Sequence, residues 1–192
     1  VYGSNAIFGV INVITKNGSA YRGGEAAGAV GSYKTAKGRL TYGDVSESGV
    51  DWMISGSSYY QHGQNLAFPA HGGRAYDLDS DRSKSLFAKL QTDSLSLSGM
   101  FGSRTKENPT ASYQQAFDAQ GSNATDETAS ISAEYRRALS EKLTLTARGN
   151  VQHYNYRGNF IYDAPPLYTN RDKSDGTSGG GELQFTSIYF DG

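Results

Sequence analysis

The sequence predicts an all-β protein, an antiparallel transmembrane β-barrel of which about eight strands are present. Three observations lead to this prediction: apolar and polar residues alternate strictly, short and long connections alternate, and no long apolar run exists. No stretch approaches the roughly 18 apolar residues that a membrane-spanning helix requires. A hydrophobic content of 36% still suits membrane strands, because only alternate residues of such strands face lipid.

Alternation with a period of two residues defines the strands. It is clearest in Leu86–Gln91, Ser94–Phe101, Ser130–Arg136 and Leu143–Val151. This period sends successive side chains to opposite faces of a sheet. With the weaker alternation elsewhere, the pattern predicts strands at residues 23–33, 37–45, 51–61, 82–92, 94–105, 126–138, 143–155 and 177–189.

Each predicted strand has one apolar face and one polar face. The residues expected to face outward are Leu40, Tyr42, Trp52, Ile54, Leu86, Leu90, Leu95, Leu97, Ile131, Leu143, Leu145, Leu183 and Phe185. The residues expected to face inward are Arg39, Lys89, Gln91, Glu134, Arg136, Arg148, Asn150, Glu182 and Gln184. In a soluble sandwich the apolar face would instead be buried against a second sheet, and periodicity alone does not separate these alternatives. Charges of both signs on the polar face favour lipid as the partner of the apolar face.

The connections between strands alternate in length. Tight turns are predicted at about residues 46–49, 92–93 and 140–142, and long polar stretches at 62–81, 105–125 and 155–176. One connection on the long side, at residues 33–37, is short. The tight turns recur at intervals of roughly 47 residues, which is typical of outer-membrane barrels with short periplasmic turns and long extracellular loops. A sandwich would space its strands more evenly.

The first 16 residues do not alternate. Small residues come first and an apolar run follows, which predicts a glycine-containing turn and then a strand buried on both faces. This segment resembles the end of the plug domain of TonB-dependent outer-membrane receptors, although Phe8 stands where that family commonly has a small residue. The matching residues are Tyr2, Gly3, Ala6, Ile7, Gly9, Val10, Ile11, Asn12, Ile14, Thr15 and Lys16.

The resemblance implies two parts, the end of a plug domain at residues 1–18 and the N-terminal portion of a barrel of about 22 strands at residues 19–192. It implies a bacterial outer-membrane protein that contacts lipid and takes up a scarce nutrient chelate, such as siderophore-iron or cobalamin. Transport would be driven by the TonB complex, which the full-length protein contacts through a TonB box absent from this chain. We expect the chain to be a fragment, because it has no signal peptide.

A second interpretation is a self-contained eight-stranded outer-membrane barrel with a structural or adhesive role, because eight such strands fit into 192 residues. Neither interpretation predicts an enzyme or a cofactor. The histidines, His62, His71 and His153, lack metal-ligand spacing, and there is neither a nucleophile elbow nor a phosphate-binding loop. The net charge of −1, without a basic run, predicts no nucleic-acid partner.

The predicted loops contain two kinds of candidate binding residue. Asp77, Asp79 and Asp81 would point to the same side of an extended chain, where they could bind calcium, or they could belong to a solvated loop. Aromatic side chains in the loops could contact a ligand or could pack the loops together: Phe68, Tyr76, Tyr113, Phe117, Phe160, Tyr162 and Tyr168.

Overall fold

The structure is a computed structural model that describes residues 13–188. Its ten strands are β1 (Gly23–Gly31), β2 (Thr35–Val45), β3 (Asp51–Gln61), β4 (Leu66–Phe68), β5 (Gly73–Ala75), β6 (Asp81–Gln91), β7 (Leu95–Glu107), β8 (Asn123–Ser140), β9 (Leu143–Tyr162) and β10 (Tyr168–Ser187). Single 3-10 turns occur at Gly18–Ala20, Pro69–His71 and Ser112–Gln114. Within residues 13–188, no helix is long and apolar enough to cross a membrane.

Eight of the strands form one antiparallel sheet in the order β1-β2-β3-β6-β7-β8-β9-β10, which follows the order of these strands in the chain. The short strands β4 and β5 form a separate hairpin between β3 and β6. The prediction of an all-β fold with eight antiparallel strands is therefore confirmed. The sheet is not closed into a barrel, because β1 and β10 lie at its two edges and do not pair with each other among the described residues.

The three tight turns lie at one end of the sheet, as the sequence predicts. They occupy residues 46–50, 92–94 and 141–142. Side-chain hydroxyls hold the first two, since Ser46 Oγ accepts the Val50 N–H at 3.1 Å and Thr92 Oγ1 accepts the Leu95 N–H at 3.0 Å. Connections at residues 32–34, 62–80, 108–122 and 163–167 lie at the opposite end, which we call the loop end.

The predicted long loop at residues 155–176 is wrong. β9 continues to Tyr162 and β10 begins at Tyr168, so most of this stretch is a paired hairpin closed by residues 163–167. The rings of Tyr162 and Tyr168 stack at its tip with 5.4 Å between centroids. The sequence concealed this hairpin because residues 169–175 of β10 are polar on both faces, and hydrophobic alternation is visible only where one face is apolar.

The register confirms that the two predicted sets of side chains lie on opposite faces. Leu90 pairs directly with Leu97, and both belong to the predicted outward set. On the other face Glu134 pairs with Arg148, which pairs in turn with Glu182. Opposite partners in an antiparallel pair point to the same side of the sheet, so the same relation extends to every residue of both sets. We call these two sides the apolar face and the polar face.

The apolar face packs against nothing in the described part of the chain. The side chains of Leu40, Ile131 and Leu183 are 69%, 56% and 63% exposed. Few hydrophobic residues of the described chain are buried, namely Met53, Ala75, Leu78 and Ala111. The sheet therefore forms a single layer, and its apolar face requires a partner from outside the described residues.

Candidate functional site

The polar face carries a charged network near the end of the sheet where the tight turns lie. The Arg148 guanidinium donates to Glu134 Oε2 at 2.7 Å and to Glu182 Oε2 at 3.4 Å. It also donates to Gln184 Oε1 at 3.3 Å. A shallow cleft beside this network is lined by serine, asparagine and glycine residues. The charged side chains of this face hydrogen-bond to one another, and the cleft beside them is open to a polar partner.

The segment at residues 13–22 is bound to the same face. The Gly18 N–H donates to Asp51 Oδ1 at 2.6 Å, and the Ser19 N–H donates to Asp51 Oδ2 at 3.2 Å. Lys89 Nζ donates to Asn17 Oδ1 at 2.6 Å. The carboxylate at the start of β3 and the ammonium near the end of β6 thus hold three consecutive residues of the segment. We call this set of contacts the anchor.

Two glycines allow the anchor to form, because they bring the two backbones into contact. A Cβ atom on Gly18 would lie 1.9 Å from the carbonyl oxygen of Trp52, and one on Gly43 would lie 2.7 Å from the Gly18 Cα. Neither distance is compatible with a side chain, so only glycine permits this approach. Met53, which is 5% exposed, is buried at the same place on the polar face.

Only part of the predicted plug-end motif lies within the described residues. Ile14, Thr15 and Lys16 belong to an irregular stretch that precedes the anchor, and Ile14 is 87% exposed. The Lys16 ammonium lies 5.6 Å from the centre of the Tyr21 ring. The motif residues outside the described chain are Tyr2, Gly3, Ala6, Ile7, Gly9, Val10, Ile11 and Asn12.

At the loop end, the loops at residues 62–80 and 108–122 pack together. The Tyr76 N–H donates to Asp118 Oδ1 at 2.8 Å, and Gln120 Nε2 donates to the Tyr76 carbonyl oxygen at 3.2 Å. Leu78 is 2% exposed and forms the apolar centre of this region together with Ala75 and Ala111. The two loops therefore form one ordered structure above the sheet.

Two of the candidate aromatic residues, Phe68 and Phe117, pack the two loops together. The rings of His71 and Phe117 stack with 4.9 Å between centroids, and Phe68 meets Phe117 edge-on at 5.9 Å. Phe160 is half-buried on β9. Tyr76, Tyr113 and Tyr168 differ from these, because they are exposed and remain accessible to a ligand from outside.

The three aspartates proposed as a calcium site do not converge. Asp77 has a φ of 54°, which ends the extended conformation that would have placed all three on one side. Its Oδ1 lies 2.9 Å from His62 Nε2, whereas Asp79 is paired with Lys106 and Asp81 with Arg104. Within residues 13–188, no cluster of three or more histidine or acidic side chains could hold a metal ion.

The anchor was missed by sequence reasoning, because Asp51 lies 33 residues from Gly18 in the sequence. The only local signal is the run Asn17-Gly18-Ser19, which marks a turn without indicating its partner. Gln115 was also missed. It is buried in the loop at residues 108–122, and its Oε1 atom has no hydrogen-bond partner.

The two faces and two ends of the sheet thus offer different chemistry. The apolar face suits a hydrocarbon environment, the polar face binds the chain that precedes β1, and the loop end presents accessible aromatic rings. Comparison with known proteins finds no matching family model, no matching curated protein and no matching solved structure.

Proposed function

We propose that this chain is part of a TonB-dependent outer-membrane receptor and comprises the end of the plug and the first barrel strands. The observation that carries the proposal is the fully exposed apolar face of a single-layer sheet whose opposite face is polar. A bilayer covers such a face without a second layer of protein. In water, an apolar patch of this size would drive aggregation.

The lengths of the strands support a membrane position. Strands β2, β3 and β6 each have 11 residues and β7 has 13, close to the roughly 9–11 residues that a tilted strand needs to cross a bilayer. The later strands are longer, with 18 residues in β8 and 20 in each of β9 and β10. Their extra residues lie at both ends of the sheet, because residues 136–140 of β8 extend beyond its pairing with β7 at the end with the tight turns and residues 160–162 of β9 extend beyond its pairing with β8 at the loop end.

The anchor supports the assignment of a plug. In a closed barrel the polar face lines the lumen, and residues 13–22 bind that face immediately before β1. A plug that precedes the barrel in sequence would have to leave the lumen along this path. The nutrient would then bind from the loop end, and TonB would act through the full-length protein from the periplasm.

The edges of the sheet indicate that more strands are required. β1 and β10 each present a row of backbone groups without a partner strand among the described residues. In hydrocarbon each unpaired group costs several kcal/mol, so further strands must cover both edges. In the alternative eight-stranded barrel, β10 would pair with β1. Those strands have 20 and nine residues, so much of β10 would remain unpaired.

Deletion of the complete gene tests the transport function. The deletion strain should lose uptake of one labelled nutrient chelate, among ferric siderophores and cobalamin, and the gene on a plasmid should restore it. Restoration should fail in a strain without TonB. Undiminished uptake of every chelate in the deletion strain would contradict the proposal.

Refolding of residues 1–192 alone into liposomes separates the two interpretations. The receptor proposal expects aggregation without uptake, because both edges remain open. A compact species whose gel mobility changes on heating would instead support the self-contained eight-stranded barrel.

A further inference from the structure

A row of cationic and hydroxyl side chains crosses the sheet on the same side as the apolar residues, but nearer to the loop end. Successive strand pairings place its members directly opposite one another on the side of the apolar face: Arg82 with Thr105, Thr105 with Thr125, Thr125 with Arg157 and Arg157 with Lys173. The row spans the five strands from β6 to β10, and no acidic residue belongs to it. We call it the cationic row.

The cations of this row are only partly neutralised. Arg157 donates to Glu127 at 2.7 Å, but Arg82 and Lys173 have no hydrogen bond or ion pair to any described residue. Arg157 and Lys173 are direct cross-strand partners, and like charges in that position destabilise a sheet. An anion bound between them would remove this repulsion.

The two threonines add hydroxyl groups between the cations. Thr105 Oγ1 and Thr125 Oγ1 lie 2.9 Å apart and share one hydrogen bond, so at least one hydroxyl hydrogen or lone pair still faces outward. These residues line a cleft together with Arg171 and two carboxylates, of which Glu127 is paired with Arg157 and Asp172 accepts a hydrogen bond from Asn170. Guanidinium, ammonium and hydroxyl groups together are the usual donors to phosphate oxygens.

The rows on either side of the cationic row carry charges of both signs. Lys84 lies next to the row on the side of the apolar face, and Arg171 lies next to it toward the loop end. The nearby carboxylates are Glu127, Asp175 and Glu107. Glu127 is already paired with Arg157, and Glu107 accepts the Ser80 N–H at 3.1 Å. The surface therefore keeps an excess of positive charge around the row.

We propose that the cationic row binds the phosphate of a lipid headgroup. This inference rests on the membrane position in the proposed function, and it adds a ligand class to one surface of the barrel. Arg82 precedes Leu86 on the outward side of β6 by four residues, which is about 13 Å along the strand toward the loop end. A phosphate next to the hydrocarbon layer of the membrane lies within reach of such side chains. Continuity with the apolar face favours a lipid over a free anion, because an acyl chain can pack below the phosphate.

Lipid binding to the protein encoded by the complete gene, purified in detergent, tests the inference. Phosphatidic acid and phosphatidylcholine with identical acyl chains are titrated separately, and inorganic phosphate is titrated as the third ligand. Bound lipid is counted by native mass spectrometry. We expect phosphatidic acid to bind at least tenfold more tightly than phosphatidylcholine, because each cation near a membrane surface contributes about fivefold to anion affinity.

The test variant combines Arg82→Gln with Lys173→Gln, which leaves the pair between Arg157 and Glu127 intact. It should weaken the binding of phosphatidic acid roughly 25-fold and leave phosphatidylcholine unaffected. The matched control combines Lys37→Gln with Arg136→Gln, which removes the same charge from the polar face. The control should bind phosphatidic acid as the unmodified protein does.

Three outcomes would overturn the inference. Equal affinity for the two lipids would show that the row does not select an anionic phosphate over one whose charge is balanced by choline, and an equal loss in the control would show a nonspecific effect of charge. Inorganic phosphate that binds as tightly as phosphatidic acid would assign the row to a free anion. A separate measurement isolates the proposed function: failure of the unmodified protein to enter neutral phosphatidylcholine vesicles would contradict the membrane position, and the lipid site with it.

Discussion

The anchor between the segment at residues 13–22 and the sheet can be broken by one methyl group. In the variant Gly18→Ala, the new Cβ would lie 1.9 Å from the carbonyl oxygen of Trp52. That oxygen belongs to the backbone of β3, which is paired on both sides, so it cannot move away. The segment must therefore leave the polar face, and the bonds from Gly18 and Ser19 to Asp51 must break.

The size of the effect follows from those two bonds. A hydrogen bond to a charged group contributes about 1.5–3 kcal/mol, so the loss of two such bonds at the lower end costs about 3 kcal/mol. This energy corresponds to a roughly 100-fold rise in the equilibrium constant for opening of the segment. Most of the remaining sheet should be unaffected, because the segment contacts only β2, β3 and β6.

Amide hydrogen exchange at residues 18 and 19 measures this opening directly, and tryptic cleavage after Lys16 provides a second measurement. Both should accelerate by about two orders of magnitude in Gly18→Ala. The matched control is Gly38→Ala on β2, where a Cβ would meet nothing within 4 Å. Exchange in Gly18→Ala that stays within a factor of two of the control would refute the reasoning.

Three further predictions concern the loop end and the two faces. Leu78→Ala should destabilise the packed loops by about 2–5 kcal/mol through a cavity, seen as faster proteolysis of residues 62–80, and unchanged proteolysis would contradict the packing. Lys106→Met should lower the free energy of unfolding by about 1–3 kcal/mol, because it leaves the half-buried Asp79 carboxylate without its cation. Chemical denaturation measures this change, and an unchanged midpoint would contradict the pairing. Leu97→Arg on the apolar face should reduce the stability of the protein in lipid vesicles by about 2–4 kcal/mol. The control Ser98→Arg on the polar face should leave this stability unchanged, and equal effects would contradict the assignment of faces.

The sequence allowed the sheet to be predicted where one face is apolar. The segments Leu86–Gln91 and Ser94–Phe101 alternate clearly, and both lie inside the observed strands or within one residue of them. The same rule failed for the hairpin beyond Asn155, because residues 169–175 of β10, which include Lys173, are polar on both faces. Hydrophobic periodicity reports burial, so it cannot detect a strand without an apolar side.

The functional contacts were harder to predict, because they depend on the meeting of distant segments. The anchor joins Gly18 to Asp51, and no local pattern in either segment indicates the other. The calcium alternative for Asp77, Asp79 and Asp81 depended on an extended chain at Asp77, where φ is positive. The cationic row became visible only from the register, which aligns residues from five different strands.

The claim that the apolar face contacts lipid can be tested along β7 alone. The chain has no cysteine, so single cysteines can be placed one at a time at residues 95–102 and labelled with a fluorophore. The protein is then reconstituted into vesicles that contain brominated lipid. The account predicts strong quenching at Leu95, Leu97, Gly99 and Phe101 and weak quenching at the positions between them. Quenching that is equal along the strand, or absent at every position, would contradict it.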